Sequence, residues 1–274
     1  MLETYRHPVR FYFFSALIPW GLWFLAAYLS HRPDATDLGP LIGGLGLAGL
    51  CGPLLVAAYY ISKEKVLLND VAHRMFHVGA GGRGYFLASI LLMPASIILA
   101  MALSLPLGYD PGQFAITGKT TFSSTLFPVW LILVIAPVLE ELAWHSYGTD
   151  ALRQKYSLFT TSMIFALYWT IWHIPLAFIQ GYYHNELVVE GALHGINFMV
   201  SLFPFALLMN WLYYKTGRNI VVAVMFHLTA NVFNELFATH PDSKIIQTVL
   251  LVALTGYLLF KERDFFFAKA HPQL

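Results

Sequence analysis

Two adjacent glutamates, Glu140 and Glu141, stand in a long apolar stretch that begins at Leu126 and contains no earlier charged residue. A charged side chain near the middle of a bilayer costs about 2.5–3.5 kcal/mol on insertion scales, so such residues usually face a protein interior and serve a function. The alternative is that the pair lies in water, at the cytoplasmic end of its helix.

Two histidines and an asparagine lie in later apolar stretches. His173 is surrounded by YWTIWHIPLAF, and AVMFHLTANVFNEL contains His227 and Asn231. Residues four apart on a helix share a face, so Trp169 is expected beside His173. The same spacing places Asn231 beside His227. A lone histidine on an apolar helix is more often a core residue, but two histidines and a glutamate pair indicate one shared site.

The two glutamates are expected to have different roles, because adjacent residues point about 100° apart around a helix. Glu141 shares a face with His145, four residues later. We therefore expect Glu140 to face a reaction centre, while Glu141, paired with His145, braces it.

The apparent depths of the histidines differ. His173 is 18 residues from the preceding basic residue, Lys155, whereas His227 is 9 residues from Arg218. At about 1.5 Å per helical residue the depths differ by about 13 Å. A shared site therefore requires the helix with His173 to begin below the membrane or to tilt strongly.

A carboxylate, two imidazoles and an amide suit hydrolysis by an activated water. A buried glutamate beside an imidazole can act as the general base, and a second histidine with Asn231 can donate hydrogen bonds to an oxyanion. No serine, threonine or cysteine lies beside a base in a nucleophile motif.

A zinc site is the alternative use of the same residues. Glu140, His173 and His227 match the His₂Glu composition of some catalytic zinc sites, although the His-Glu-x-x-His motif is absent. A metal-bound histidine usually donates its other ring nitrogen to a carboxylate or carbonyl, and the apolar stretch offers His173 no evident partner. We therefore expect no bound metal.

The composition predicts an all-α, polytopic membrane protein. Of 274 residues, 58% are hydrophobic and 11% are charged, whereas soluble domains are about 25% charged. The net charge of +1 gives no indication of nucleic-acid binding, and the single cysteine, Cys51, excludes an internal disulfide.

About eight stretches are long enough to cross the bilayer as helices, and a β-barrel is excluded because they do not alternate. We interpret residues 1–274 as a single membrane domain. The predicted spans are 11–29, 39–61, 84–105, 125–144, 157–179, 196–214, 219–238 and 244–260.

The basic residues predict the orientation. If the N-terminus is cytoplasmic, 13 of the 16 lysines and arginines fall on the inner side, and only Arg32, Lys119 and Lys244 fall outside. This excess predicts that both termini are cytoplasmic. The inner segment from Ser62 to Arg83 is either a helix on the membrane surface or a solvated loop.

Three short motifs resemble those of the membrane-embedded proteases that include the type II CAAX prenyl endopeptidases and bacteriocin-processing homologues. The resemblance covers about residues 115–240. Two positions depart from the family pattern: His145 replaces the arginine that ends the first family motif, and Trp169 replaces the phenylalanine that begins the second. The motifs here are Glu140-Glu141-Leu-Ala-Trp-His145, Trp169-Thr-Ile-Trp-His173 and His227-Leu-Thr-Ala-Asn231.

The resemblance implies an intramembrane endopeptidase that cuts after a prenylated CAAX cysteine and releases the last three residues. It implies that Glu140 and His173 activate water, and that His227 and Asn231 form the oxyanion hole. The partners are then a prenylated protein and the bilayer, with the site in the cytoplasmic leaflet. The competing classes are a proton-coupled transporter and an inactive immunity or scaffold protein.

Overall fold

The computed structural model describes residues 2–77, 79, 82–118, 120, 122, 124 and 126–269. Within these residues it contains α-helices, short 3₁₀ and π turns, and no β-strand. One isolated bridge joins Ile116 to Phe237. The all-α prediction is confirmed, while Lys119 lies outside the described residues.

Eight long helices form the bundle in the described part of the chain. Seven have the length and composition to cross a membrane, and the apolar 17-residue helix α10 adds the eighth. The prediction of about eight spans is confirmed for the described part of the chain. These helices are α1 (Pro8–Ser30), α2 (Gly39–Ser62), α4 (Arg83–Ser104), α5 (Val129–Ala143), α7 (Leu158–Trp172), α9 (Ala192–Lys215), α10 (Ile220–Leu236) and α11 (Pro241–Lys261).

Four short helices complete the described fold. α3 (Lys65–Phe76) lies in the segment predicted as a surface helix or a loop, and it is a helix. α6 (Thr149–Arg153) follows α5, α8 (Tyr183–Glu190) precedes α9, and α12 (Arg263–Phe267) follows α11.

α5 ends near residue 144, as predicted, but the helical segment that carries the glutamates continues beyond it. A π-helical turn, Trp144–Gly148, connects α5 to α6, so one apolar segment runs from Val129 to Arg153. π turns are frequent at functional sites, and this one begins four residues after Glu140.

The bundle has two different ends. At the charged end, where α1 and α10 begin and α9 stops, a buried cluster joins Asp70, Arg74, Asp150 and Arg218. Arg218 lies 2.6 Å from Asp150 and 2.9 Å from Asp70, and Arg74 lies 2.8 Å from Asp70. The orientation prediction counted Arg74 and Arg218 as loop cations, but they are only 2% and 5% exposed.

At the opposite end, the cavity end, α1, α7 and α10 stop while α2, α5 and α11 begin. α8 lies here and packs against α9 and the 3₁₀ turn Ile174–Phe178. A large cavity extends from this end to the middle of the bundle. The predicted site residues belong to this part of the molecule.

Candidate active site

Glu140 is buried at the wall of the cavity. Its side chain accepts a hydrogen bond from the indole nitrogen of Trp169 at 2.9 Å and a longer one from that of Trp144 at 3.5 Å. The glutamate is 6% exposed and its neighbour Glu141 is fully buried, so the pair does not lie at a water-exposed helix end. Trp169 was expected only to support His173, but its indole also holds Glu140.

Glu141 points away from the cavity and holds two histidines. Nδ1 of His227 donates to one carboxylate oxygen at 2.7 Å, and Nδ1 of His145 hydrogen-bonds to the other. The predicted pairing with His145 is therefore present in the structure. The contact with His227 spans 86 residues of sequence and was not predicted.

The second nitrogen of His145 is also held. Nε2 lies 2.9 Å from the side-chain oxygen of Asn210, whose amide nitrogen donates to the hydroxyl of Ser162 at 2.9 Å. Our sequence reasoning missed Asn210. The signal was visible, because this residue is a buried amide in the apolar stretch LLMNWLYY.

His173 lies directly after the last residue of α7. Its Nδ1 donates to the backbone carbonyl of Trp169 at 2.7 Å, so the lone pair of the neutral ring is on Nε2. We had found no partner for the second nitrogen of His173, and that expectation is wrong because the helix backbone supplies one.

The two histidines line the same cavity despite their unequal apparent depths. Trp169 lies between them, with ring centroids 5.5 Å from His173 and 5.2 Å from His227. The depth count used Arg218 as a marker of the membrane surface. Because Arg218 is buried and paired with Asp150, it does not mark that surface.

The cavity has a volume of about 670 Å³ and brings together the proposed reacting groups. Glu140, His173, His227 and Asn231 all line it, whereas Glu141 does not. Among the described residues, Nε2 of neither histidine has a hydrogen-bond partner. Water or substrate can therefore bind these atoms.

The rest of the cavity wall is largely apolar in the middle of the bundle. Leu47 and Leu50 of α2 and Leu133 and Ala136 of α5 line it there. Towards the cavity end the lining includes Lys244, which lies in the first turn of α11. None of the described lining residues belongs to the charged cluster.

A third histidine, His184 of α8, stacks on His173 and was not predicted. The ring centroids are 4.9 Å apart and the planes differ by 25°. Burial lowers the pKa of His184 to about 4, so its ring is neutral beside His173. Nothing in the spacing of the sequence connects α8 with the three motifs.

A metal site requires several ligand side chains close to one another. Among the described residues, no three histidine, cysteine, aspartate or glutamate side chains lie close enough together to hold one. One feature does match a zinc site, since His173 and His227 both have Nδ1 held by an oxygen acceptor.

Comparisons with known proteins agree with the three motifs. Residues 122–233 match the family model described as type II CAAX prenyl endopeptidase Rce1-like. The chain is also similar to CAAX prenyl protease 2 of Methanococcus maripaludis, with 33% identity over 272 residues. The match covers 98% of this chain and 99% of that protease.

Proposed function

The chain belongs to the Rce1-like family of type II CAAX prenyl endopeptidases, and from this premise we propose that it cleaves the peptide bond after a prenylated CAAX cysteine and releases the C-terminal tripeptide. The observation that carries the proposal is that all three motifs contribute to one cavity inside an apolar helical bundle. Glu140, His173, His227 and Asn231 line that cavity together.

Glu140 is the general base in this proposal, and Nε2 of His173 holds the attacking water. The water oxygen attacks the carbonyl carbon of the cysteine while its proton passes to the Glu140 carboxylate. The carbon–nitrogen bond then breaks, and Glu140 returns the proton to the leaving amine. A positioned general base of this kind contributes about 10²–10⁴-fold to the rate.

His227 and Asn231 stabilise the oxyanion. Because Glu141 accepts the Nδ1 proton of His227, the ring can carry a second proton on Nε2 and donate it. The Asn231 amide, one turn further along α10, supplies a second donor. Glu141 therefore acts through His227 and not on the substrate.

The apolar part of the cavity suits the prenyl chain. Leu47, Leu50, Leu133 and Ala136 line it beside Glu140. Burying a methylene group contributes about 0.8 kcal/mol, so a prenyl chain in this part of the cavity increases affinity substantially.

The proposal is tested with two peptides of one CAAX sequence, one farnesylated and one with a free cysteine thiol. We expect the purified protein in vesicles to release the intact tripeptide from the farnesylated peptide at least tenfold faster, measured by mass spectrometry. Equal rates would refute prenyl recognition. No release from either peptide would refute the proposed activity.

The cavity constrains the orientation of the chain in the membrane. We also propose that both termini are cytoplasmic, from the distribution of basic residues. In that orientation the cavity end faces the non-cytoplasmic side of the membrane. A site in the cytoplasmic leaflet therefore cannot open through the cavity end. With that orientation, we propose that the prenylated tail reaches the cavity laterally from the inner leaflet.

Reporter fusions decide the orientation. We expect reporters after Arg83 and at the C-terminus to be cytoplasmic, and a reporter between residues 108 and 118 to be external. The reverse pattern would place the cavity end in the cytoplasm and refute the charge-based orientation, while leaving the peptide assay unaffected.

A further inference from the structure

Arg74 of α3 reaches across the charged end to the back of the candidate site. Its Nη1 donates to the backbone carbonyl of His145 at 2.8 Å, and its Nη2 donates to that of Ser146 at 2.9 Å. Both carbonyls belong to the π-helical turn Trp144–Gly148. One guanidinium therefore holds two consecutive carbonyls of the turn that follows the glutamates.

The guanidinium is itself held from several sides. Its Nε lies 2.8 Å from the Asp70 carboxylate, an Nη atom lies 3.1 Å from Asp150, and Nη2 donates to the Tyr5 hydroxyl at 2.6 Å. Burial raises the pKa of Tyr5, so this phenol stays neutral. Arg74 is 2% exposed and cannot relax into solvent when its partners change.

His145 connects this clamp to the reacting groups. Its backbone carbonyl accepts from Arg74 and from the Tyr213 hydroxyl, while its ring pairs with Glu141. Glu141 in turn holds Nδ1 of His227 at 2.7 Å. We propose that Arg74 is a positioning residue for the reaction, which fixes the π-helical turn and, through His145 and Glu141, the orientation of His227.

This inference rests on the proposed function, and the size of the expected loss of rate follows from geometry. A misplacement of about 1 Å at a reacting group can cost about 100-fold in rate. Lysine keeps the charge of Arg74 but lacks the planar fork that donates to two carbonyls. We expect Arg74→Lys to lower kcat by about 10- to 100-fold and to change KM by less than about twofold.

Arg153 offers a matched control. It is also 2% exposed, and its Nη1 donates to the backbone carbonyls of Tyr156 at 2.7 Å and Lys269 at 2.5 Å. None of these contacts involves the π-helical turn. Arg153→Lys therefore replaces an equally buried guanidinium that also donates to two backbone carbonyls, and we expect it to leave kcat per folded molecule within about twofold of wild type.

The test measures kcat and KM on the farnesylated peptide for both variants, for Glu141→Gln, and for Arg74→Lys combined with Glu141→Gln. We expect Arg74→Lys to cost little further rate once Glu141 is replaced, because coupled residues are not additive. An unchanged kcat in Arg74→Lys, an equal loss in Arg153→Lys, or additive losses would overturn the inference.

If Arg74→Lys does not fold, Tyr213→Phe removes a second donor to the His145 carbonyl, and we expect a kcat several-fold below wild type. An unchanged kcat there overturns the inference. Absence of cleavage by the wild-type protein refutes the proposed function and this inference with it, whereas wild-type cleavage with normal variants refutes the inference alone.

Discussion

The two ends of the bundle bury polar groups in opposite ways. At the charged end, Arg218 contacts Asp70 and Asp150, and both carboxylates also contact Arg74. At the cavity end, His173 and His227 have one ring nitrogen held and the other directed to no described partner. Buried polar groups with all partners present stabilise a fold, whereas groups left partly unpaired are the ones available for chemistry.

The comparison also explains why both ends tolerate charge in an apolar protein. Removing one partner from a buried ion pair is costly because the other charge stays buried without compensation. The charged end avoids this cost by pairing. The cavity end avoids it by giving Glu140 two indole donors and by giving Glu141 two histidines.

The largest expected effect is at the cavity end. His173→Ala and His227→Ala each remove a ring that the proposed reaction needs, so we expect cleavage to fall by about 10²–10⁴-fold. His240→Ala is the control, since this histidine also lies at the cavity end but does not line the cavity. Turnover of either variant within tenfold of wild type would contradict the assigned roles.

A substitution at the charged end is expected to lower the stability of the fold. Asp150 is fully buried, and Asp150→Asn leaves Arg74 and Arg218 with one fewer carboxylate. We expect unfolding to become easier by about 3–5 kcal/mol and the melting temperature in detergent to fall by at least about 6 °C. Asp34→Asn, in an exposed pair with Arg32, should leave the melting temperature unchanged. Equal effects would contradict the contrast between buried and exposed pairs.

A smaller loss is expected for the oxyanion donor. Removing one such donor typically costs about 10²–10³-fold in kcat, and we expect this for Asn231→Ala with KM nearly constant. Asn234, three residues further along α10, also lines the cavity and serves as the control. A similar kcat loss in Asn234→Ala would show that Asn231 has no specific role.

The smallest expected effect is that of chelation. Because the described residues form no ligand set for a metal, we propose that exhaustive chelation leaves the cleavage rate within about twofold. Elemental analysis of the active protein accompanies the assay. Near-stoichiometric zinc, with activity lost to chelator and restored by zinc alone, would make Glu140, His173 and His227 ligands.

Local contacts of the site could be predicted from the sequence. The pairing of Glu141 with His145 follows from four-residue spacing on a helix, and the structure contains it. The divergence of Glu140 and Glu141 follows from the helical angle, and only Glu140 lines the cavity.

Contacts between helices could not be predicted in the same way. Periodicity places a residue on a face but does not show which helix packs there, so the bonds from His227 to Glu141 and from Trp169 to Glu140 were missed. The π-helical turn was not predicted because polar residues begin where the predicted span ends, and the sequence does not show that His145, Ser146 and Thr149 are buried there. Arg74 was counted as a loop cation although Asp70 precedes it by four residues in α3, because four-residue spacing does not show that the pair is buried or that Asp150 of α6 joins it.

The most direct test of the account compares Glu140→Gln with Glu141→Gln. Glutamine keeps the size of Glu140 and can still accept from Trp169, but it cannot take a proton from water. We predict that Glu140→Gln loses release of the tripeptide from the farnesylated peptide while its melting temperature is retained, and that Glu141→Gln keeps a measurable rate. Full activity in Glu140→Gln, with none in Glu141→Gln, would show that the roles of the two glutamates are reversed.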